Sequence, residues 1–182
     1  MKLLFASDIH GSATATETLL SVFEKEKAER LIILGDFLYH GPRNPLPDGY
    51  APAEVIRLLN NFTPTPLCVR GNCDAEVDQM VLSFPIMADY ALLPLDNKRT
   101  AFITHGHLFS LDNPPPHKEG DILIHGHTHV HCSIAKGGLH YLNPGSISLP
   151  KENQVPSYMI YENGCFQIKD LHSGDVLVQY DI

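Results

Sequence analysis

The stretch KLLFASDIHG at residues 2–11 contains the pattern on which the fold depends. Its apolar run, KLLFA, is typical of a buried strand, and the polar residues Ser7, Asp8 and His10 follow directly. The same pattern returns along the chain in LIILGD (31–36), LCVRGN (67–72), AFITHGH (101–107) and DILIHGHTH (121–129). Because ligands of α/β folds gather at the carboxyl ends of parallel strands, these five segments predict one shared polar crevice.

The first half of the chain predicts alternating strands and helices. Short apolar runs predict strands at 2–7, 31–34 and 67–70. Residues 12–29 predict a helix with an apolar face, and residues 51–61 predict a second one with Pro52 in its first turn. This β-α-β-α-β order favours parallel strands joined by helical crossovers. Residues 39–50 hold three prolines and two glycines, which predicts a loop long enough to carry function.

The second half of the chain predicts mainly strands. Eight short β-rich runs occur there: DYALLPL, RTAFITH, DILIH, VHCSIA, GLHYL, SYMIYE, CFQIKDL and DVLVQY. They predict a second sheet, mostly antiparallel at its end, that packs on the first. Since no repeat or linker separates the two halves, we expect a single domain over residues 1–182.

Charge and composition narrow the class of function. The 182-residue chain has a formal net charge of −8, so it lacks the basic face that a nucleic-acid polymer requires, and we expect no such partner. No run approaches the ~18 apolar residues of a membrane span, so we expect no membrane partner. The N-terminus predicts a first strand instead of a signal peptide. The four cysteines form no CxxC pair, which indicates reduced thiols and a cytoplasmic protein.

The polar residues after the strands have the chemistry of metal ligands. Asp8 and His10 stand on alternate positions, as do His127 and His129, and in extended backbone each pair points to one side. Two carboxylates, one amide oxygen and several imidazoles form a ligand set without thiolate, which suits Mn, Fe, Zn or Ni. The set exceeds what one tetrahedral zinc needs. It therefore predicts a pair of metals, with a carboxylate as the natural bridge.

Taken in order, these fragments resemble the calcineurin-like metallophosphoesterases. The matching fragments are D-x-H (Asp8, His10), G-D (Gly35, Asp36), G-N (Gly71, Asn72), H (His105) and G-H-x-H (Gly126, His127, His129). The GNCD form and NPGS at 143–146 are similar to the small bacterial phosphodiesterases of that family. The resemblance spans almost the whole chain. It implies an α+β protein with α/β-like parts: a four-layer α/β/β/α sandwich of two mixed β-sheets flanked by helices, the metallophosphoesterase fold.

The resemblance also implies a site and a reaction. The implied ligands are Asp8, His10 and His129 for one metal, Asn72, His105 and His127 for the second, and Asp36 as the bridge. Mn²⁺ is the expected ion, and Zn²⁺, Fe²⁺, Ni²⁺ and Co²⁺ stay open because cellular availability decides between them. The expected reaction is hydrolysis of a small-molecule or nucleotide phosphodiester through in-line attack by a metal-bridging hydroxide. The expected catalytic residues are Asn72, Cys73 and Asp74.

One position departs from the family pattern. Many relatives have histidine where this chain has Cys73, and a thiol with a reference pKa of ~8.5 replaces imidazole poorly at neutral pH. We therefore expect a preference for activated diesters. Asp74 either orients this turn or caps the following helix. Arg43, in the long loop, either contacts a phosphate or is a solvated loop residue.

Two other functions stay open at this stage. One is an interaction scaffold of the same fold with weak catalysis, and the other is a phosphomonoesterase. A scaffold has no reason to keep every ligand, whereas all seven positions are filled here, and Cys73 argues mildly against the monoesterase. The resemblance hints at a homo-oligomer. His107 and His125 fall outside the family pattern, and we expect them to lie beside the ligands at most.

Overall fold

A computed structural model describes residues 1–182, apart from the side chain of Asn97. The helices are α1 (Ala13–Glu26), α2 (Pro52–Asn60) and α3 (Glu76–Val81). The strands are β1 (Lys2–Ala6), β2 (Arg30–Ile33), β3 (Leu67–Cys68), β4 (Tyr90–Pro94), β5 (Thr100–Thr104), β6 (Ile122–Ile124), β7 (Cys132–Lys136), β8 (Leu139–Asn143), β9 (Ser157–Glu162), β10 (Cys165–Asp170) and β11 (Val176–Asp181). All predicted strands and both predicted helices are present.

The first sheet has six strands in the order β11-β10-β9-β1-β2-β3. Strands β1, β2 and β3 run parallel, as the β-α-β-α-β order predicts, and β9, β10 and β11 form an antiparallel meander on the other side of β1. The prediction that the last strands belong to the second sheet is therefore wrong. Strand β9 is buried along five successive residues, and a strand buried on both faces needs a central place such as the one beside β1.

The second sheet has five strands in the order β4-β5-β6-β8-β7. Its central strands β5, β6 and β8 run parallel, while β4 and β7 pair antiparallel at the two edges. Both sheets are thus mixed. The carboxyl ends of β5 and β6 lead directly into the two histidine-rich segments of the sequence.

Two apolar layers hold the sheets and helices together. Leu4 and Leu31 of the first sheet pack with Leu19 of α1, and on the other side Phe5 packs with Ile103 and related residues of the second sheet. Helix α1 begins at the N-cap Ser12, whose side chain accepts a hydrogen bond from the backbone of Ala15 at 3.1 Å. The two sheets are the frame that positions the loops at one end.

The predicted fold class, two mixed sheets with helices, is confirmed. The outer face of the second sheet is covered by the segment between β5 and β6. There Leu111, from the segment between β5 and β6, packs against Leu123, Leu139 and Tyr141. This segment carries the run NPPP at 113–116, and consecutive prolines prevent a continuous helix. The segment that covers this face of the second sheet is therefore a loop.

Two expectations from composition can be compared with the structure. Among the described residues, no helix combines the length and the apolar character that crossing a bilayer requires. Within the same part of the chain the four cysteines are free thiols, in agreement with the predicted absence of a disulfide framework.

Candidate metal centre

The loops after the strands converge on one cluster of polar side chains. Ligand atoms of Asp8, His10 and His129 lie within 4.8 Å of one another, and so do those of Asp8, Asp36 and His105. The segments are joined by backbone contacts: the Asp8 N–H donates to Gly35 O at 3.2 Å, and the His10 N–H donates to Asp36 O at 2.8 Å. The predicted crevice thus exists, and two overlapping groups of donors share Asp8.

The backbone of this cluster is unusual. Five of the seven predicted ligands have positive φ: Asp8 at 58°, His10 at 50°, Asp36 at 59°, His127 at 67° and His129 at 61°. Extended alternation, which the sequence analysis assumed for the two pairs, is therefore the wrong reason for their common direction. Left-handed backbone costs a non-glycine residue about 1–2 kcal/mol, so the surrounding contacts must hold each of these residues in place.

Three histidines have their ring orientation and tautomer set by backbone carbonyls. The Nδ1 atoms of His10, His105 and His129 contact the carbonyl oxygens of Tyr39, Leu34 and Leu149 at 2.8, 2.6 and 2.6 Å, respectively. Because a carbonyl oxygen only accepts, each Nδ1 carries a proton, and each ring in its neutral form would present its Nε2 lone pair to the cluster. The Nε2 atoms of His10 and His129 face each other at 3.2 Å. Two lone pairs at that distance are stable together only with a cation or a proton beside them.

The carboxylate of Asp8 also has the surroundings of a cation ligand. Asp8 is fully buried, and its Oδ1 atom has no hydrogen-bond partner among the described residues. That atom lies 3.4 Å from His129 Nε2 and 3.8 Å from His10 Nε2. The other oxygen accepts the His127 N–H at 3.1 Å. A buried carboxylate oxygen without a donor is costly, and a bound divalent cation removes that cost.

The second carboxylate lies between the two groups. Asp36 Oδ2 is 3.5 Å from His10 Nε2 and 3.4 Å from His105 Nε2, while its Oδ1 accepts the Cys73 N–H at 2.8 Å. Burial raises the pKa of Asp36, but its hydrogen bond with His105 and the nearby imidazole charges outweigh that effect and hold the pKa well below its usual range. Asp36 is therefore an anion in contact with both halves of the cluster.

The remaining predicted ligands surround His105. Asn72 Oδ1 lies 3.0 Å from His105 Nε2, and the His127 ring centroid is 5.1 Å from that of His105. Burial lowers the pKa of His105, but the hydrogen bond with Asp36 and the charges of Asp8 and Asp36 raise it to about 9. Burial and the charge of His105 lower the pKa of His127 to about 4. His127 is therefore neutral at pH 7, which is the protonation state that binds metals.

Asp74 has a positioning role in the structure. Its buried carboxylate accepts three backbone N–H groups, from Phe37 at 2.8 Å, Asp36 at 2.8 Å and Gly71 at 2.7 Å. These bonds tie the loop after β2 to the loop after β3. Helix α3 has Ala75 as its N-cap, so Asp74 orients the turn and does not cap the helix. Burial and the charge of Asp36 raise the Asp74 pKa to about 6.

Two glycines allow the loops to approach the carboxylates. A Cβ atom on Gly71 would lie 2.0 Å from Asp36 Oδ1. A Cβ atom on Gly126 would lie 1.8 Å from Ser7 Oγ and 2.8 Å from Asp8 Oδ2. Any larger residue at these positions would displace a carboxylate, which explains why glycine precedes Asn72 and His127.

The NPGS segment supports the site, a role that the sequence analysis missed. Asn143 forms a turn by accepting the Gly145 N–H at 2.8 Å, and its amide also donates to Gly126 O at 2.9 Å. The hydroxyls of Ser146 and Ser148 donate to Asp8 O at 2.9 and 2.8 Å. Strand β8 pairs with β6, so the segment that follows β8 passes beside the loop that follows β6. This pairing is the signal that would have placed NPGS near the site.

The two histidines outside the family pattern lie near the cluster. His125 is buried, and its Nδ1 lies 3.1 Å from Gly126 O. His107 is half-buried, with its ring centroid 5.4 Å from that of His105. Neither ring lines the cleft into which the cluster opens, in keeping with the expectation that both histidines lie beside the ligands.

The cluster opens into a cleft of about 350 Å³. Its lining comprises His10, Asp36, Gly41, Pro42, Arg43, Asn44, Asn72, Cys73, His127, His129 and Lys151. Arg43 comes from the predicted functional loop. Lys151 was not predicted, since it lies 22 residues beyond His129 in a stretch without a motif. This size is typical of a site for a small ligand.

Comparisons with known proteins agree with this geometry. The family model of the calcineurin-like phosphoesterase superfamily domain matches residues 1–164. The chain belongs to the calcineurin-like phosphoesterase superfamily. The resemblance inferred from the motifs is thus confirmed, and the superfamily accounts for the cluster of donors that suit a divalent cation.

Individual relatives are similar over the whole length of the chain. Phosphodiesterase YfcE of Escherichia coli (strain K12) is 47% identical over 182 residues, which cover 100% of this chain and 98% of that protein. The solved structure of YfcE, a phosphoesterase from E. coli, aligns with a TM-score of 0.96 at 46% identity, covering 100% of both chains. Vacuolar protein sorting 29 from Cryptosporidium parvum shares the fold alone, with a TM-score of 0.63 and 18% identity over 100% of this chain and 98% of that one.

Proposed function

We propose that the protein is a metal-dependent phosphodiesterase that uses two divalent ions, Mn²⁺ being the expected one, to hydrolyse small-molecule or nucleotide diesters. The observation that carries this proposal is the place of Asp36, whose Oδ2 lies 3.5 Å from His10 Nε2 and 3.4 Å from His105 Nε2. A carboxylate in this position would be able to contact two cations at once. The similarity to a curated phosphodiesterase at 47% identity supports the reaction class.

The donors divide into two sets around that bridge. We assign Asp8, His10 and His129 to one ion, and Asn72, His105 and His127 to the other. Imidazole nitrogens, carboxylates and one amide oxygen are suitable donors for Mn²⁺, and the same set accepts Zn²⁺, Fe²⁺, Ni²⁺ or Co²⁺. When bound, two such ions would neutralise the charge of the phosphate and activate water for in-line attack on phosphorus.

The protein's own side chains prepare the site for that reaction. The three Nδ1–carbonyl hydrogen bonds keep His10, His105 and His129 in one orientation, so no rotation is needed when substrate arrives. Asp74 keeps the loops that carry Asp36 and Asn72 in register. Asn72 is exposed and lines the cleft, where a bound substrate would contact it.

Cys73 bears on the choice of substrate. Burial and the neighbouring charge of Asp36 raise the pKa of its thiol to about 12, so the thiol remains neutral at pH 7 and gives up its proton reluctantly. A leaving group that needs a proton is served poorly by such an acid. We therefore expect fast cleavage of activated diesters, and slow cleavage of esters with basic leaving groups.

The test starts from chelator-treated protein. Mn²⁺ is added back, and hydrolysis of bis-p-nitrophenyl phosphate is timed beside p-nitrophenyl phosphate, with Asp36→Asn as the control that removes the bridging charge. We expect Mn²⁺-dependent cleavage of the diester, a slower monoester and no activity in the control. A faster monoester would make the protein a phosphatase. No turnover with Mn²⁺, Ni²⁺, Co²⁺ or Zn²⁺ would favour an interaction scaffold.

A second comparison separates Cys73 from the ligands. We expect Cys73→Ala to keep diester cleavage within about threefold of the parent, because a neutral thiol contributes little proton transfer. Asn72→Ala should lose about a hundredfold or more, since a ligand is removed. Equal losses in the two variants would contradict the assignment of Cys73.

The free thiols fit a reducing compartment, so we also propose a cytoplasmic location. That residues 1–182 form a single domain stays a prediction. Fractionation of cells with an antibody against the protein tests the location. A homo-oligomer stays a prediction that sedimentation would check.

A further inference from the structure

Two cations line the cleft beside the candidate ligands. Arg43 arrives from the loop after β2, and Lys151 arrives from the turn after β8. Both side chains are exposed, and neither forms an ion pair or a side-chain hydrogen bond within the part of the chain that the structure describes. Both side chains are therefore free to contact an anion that enters the cleft.

The backbone of Lys151 is held firmly against the site. Its N–H donates to His129 O at 3.1 Å, and its own carbonyl accepts the Gln154 N–H at 3.0 Å. Gln154 in turn accepts the His131 N–H at 2.6 Å through its side chain. The turn therefore fixes the Lys151 backbone to the segment that carries His129 and leaves its ammonium group free in the cleft.

The position of Lys151 is unfavourable for metal binding alone. Lys151 lines the same cleft as the candidate ligands His10, Asp36 and His129. A positive charge beside a site for divalent cations repels those cations. Such a charge becomes favourable when an anion binds between it and the metals.

Arg43 has a similar setting. It follows Gly41 and Pro42, and a Cβ atom on Gly41 would lie 3.4 Å from Cys73 Sγ, so this part of the loop packs against the mouth of the site. The guanidinium group presents a planar set of donors that suits phosphate or carboxylate. The two cations thus belong to separate segments that meet at the same cleft.

The charges exceed what a simple diester needs. Two divalent ions, balanced by the carboxylates Asp8 and Asp36 and by the hydroxide expected between the ions, would leave one positive charge, and Arg43 and Lys151 add two more. A phosphodiester with neutral substituents brings one negative charge. The cleft of about 350 Å³ also has room for more than a phosphate group.

We propose that Arg43 and Lys151 bind a second anionic group of the substrate, so that the preferred diester carries a phosphate in addition to the one that is cleaved. This inference rests on the proposed function and narrows its substrate class. Arg43 and Lys151 affect the binding of the substrate and the choice between substrates. The candidate metal ligands carry out the bond cleavage.

A matched pair of substrates tests the proposal. The p-nitrophenyl ester of thymidine 5′-phosphate is compared with the same ester carrying a 3′-phosphate, under Mn²⁺, in the parent protein and in Arg43→Ala, Lys151→Ala and the double variant. Lys151→Arg keeps the charge at that position. Lys25→Ala removes one exposed charge from α1 and leaves the cleft intact. Calorimetry with thymidine 5′-phosphate and thymidine 3′,5′-bisphosphate gives a binding readout that is independent of turnover.

We expect the parent to prefer the 3′-phosphorylated ester by about tenfold in kcat/KM through a lower KM, as one or two charge-assisted hydrogen bonds imply. The double variant should lose the preference for the 3′-phosphorylated ester, while Lys151→Arg and Lys25→Ala keep it. The calorimetric ratio should change in parallel.

Three results would overturn the proposal. One is an equal preference in the parent and the double variant. Another is a parallel loss on both esters, which would place the two cations on the cleaved phosphate. The third is bisphosphate binding no tighter than monophosphate binding. If neither ester is cleaved, the proposed function fails, while the calorimetric ratio still decides whether the cations bind the second phosphate.

Discussion

Glu26 is a charged residue whose contribution to stability can be measured by its pH dependence. It ends α1, and its largely buried carboxylate lies 2.9 Å from Lys2 Nζ at the start of β1. It also accepts hydrogen bonds from Tyr158 Oη at 2.9 Å and from Lys169 Nζ. Helix α1 is thereby fixed to three strands of the first sheet. Glu26→Gln removes the charge while keeping the size of the side chain.

The expected loss follows from the pKa. Burial raises the pKa of Glu26, but hydrogen bonds from Lys169, Lys2 and Tyr158 lower it from 4.5 to about 2. At 1.36 kcal/mol per unit that shift corresponds to about 3 kcal/mol, which we reduce to about 2 kcal/mol because solvent screens a partly exposed group. A depressed carboxyl pKa contributes stability that is fully present above pH ~4.5 and is lost as the pH falls through about 2.

Urea unfolding at several pH values measures this contribution. We expect Glu26→Gln to lower the free energy of unfolding by about 2 kcal/mol at pH 7, and the difference from the parent to shrink between pH 4.5 and pH 2. Glu24→Gln is the matched control, since Glu24 is exposed on the same helix. A loss that is equal at pH 7 and pH 2.5, or no greater than that of Glu24→Gln, would refute the reasoning.

Three further predictions concern the candidate site. Asp74→Asn replaces an acceptor of three N–H groups with a side chain that has one oxygen, so we expect about 2 kcal/mol of destabilisation in urea unfolding and a ten- to hundredfold lower kcat/KM on the diester. A stable, fully active variant would show that Asp74 does not hold the loops. Gly126→Ala should abolish Mn²⁺ binding in calorimetry while circular dichroism stays unchanged, because the new Cβ would meet Ser7 Oγ at 1.8 Å. Adding Ser7→Gly should restore part of the affinity, and no restoration would count against a purely steric cause. Mn²⁺ at a hundredfold excess over its Kd should stabilise the chelator-treated protein by about 2.7 kcal/mol, or roughly 5–10 °C in Tm. Asp36→Asn should show little of that shift, and an equal shift in this variant would contradict the bridging role.

Much of the site was predictable because its residues follow strands directly. Asp8, Asp36 and His105 come immediately after or within a few residues of a buried run, and the carboxyl ends of parallel strands meet at one edge. The order of short motifs then identified the family. These residues could be predicted without knowing any contact between distant segments, because the ends of neighbouring strands bring them together.

Other features depend on contacts between distant segments. The position of β9 beside β1 follows from burial on both faces, which a short apolar run does not reveal. Lys151 reaches the cleft through hydrogen bonds of a turn with the segment around His129, and no local pattern marks such a turn. The outer loop at 113–116 was predictable from its consecutive prolines.

The left-handed residues of the site have a consequence for the history of such a chain. Asp8, His10, Asp36, His127 and His129 together impose a load of at least about 5 kcal/mol on a protein whose whole stability is of the order of 5–15 kcal/mol. A descendant that no longer needs the reaction would become more heat-resistant by accepting glycine or asparagine at these positions. Selection for thermal stability alone would therefore replace the candidate metal ligands first. The two sheets would remain as a stable fold without catalytic activity.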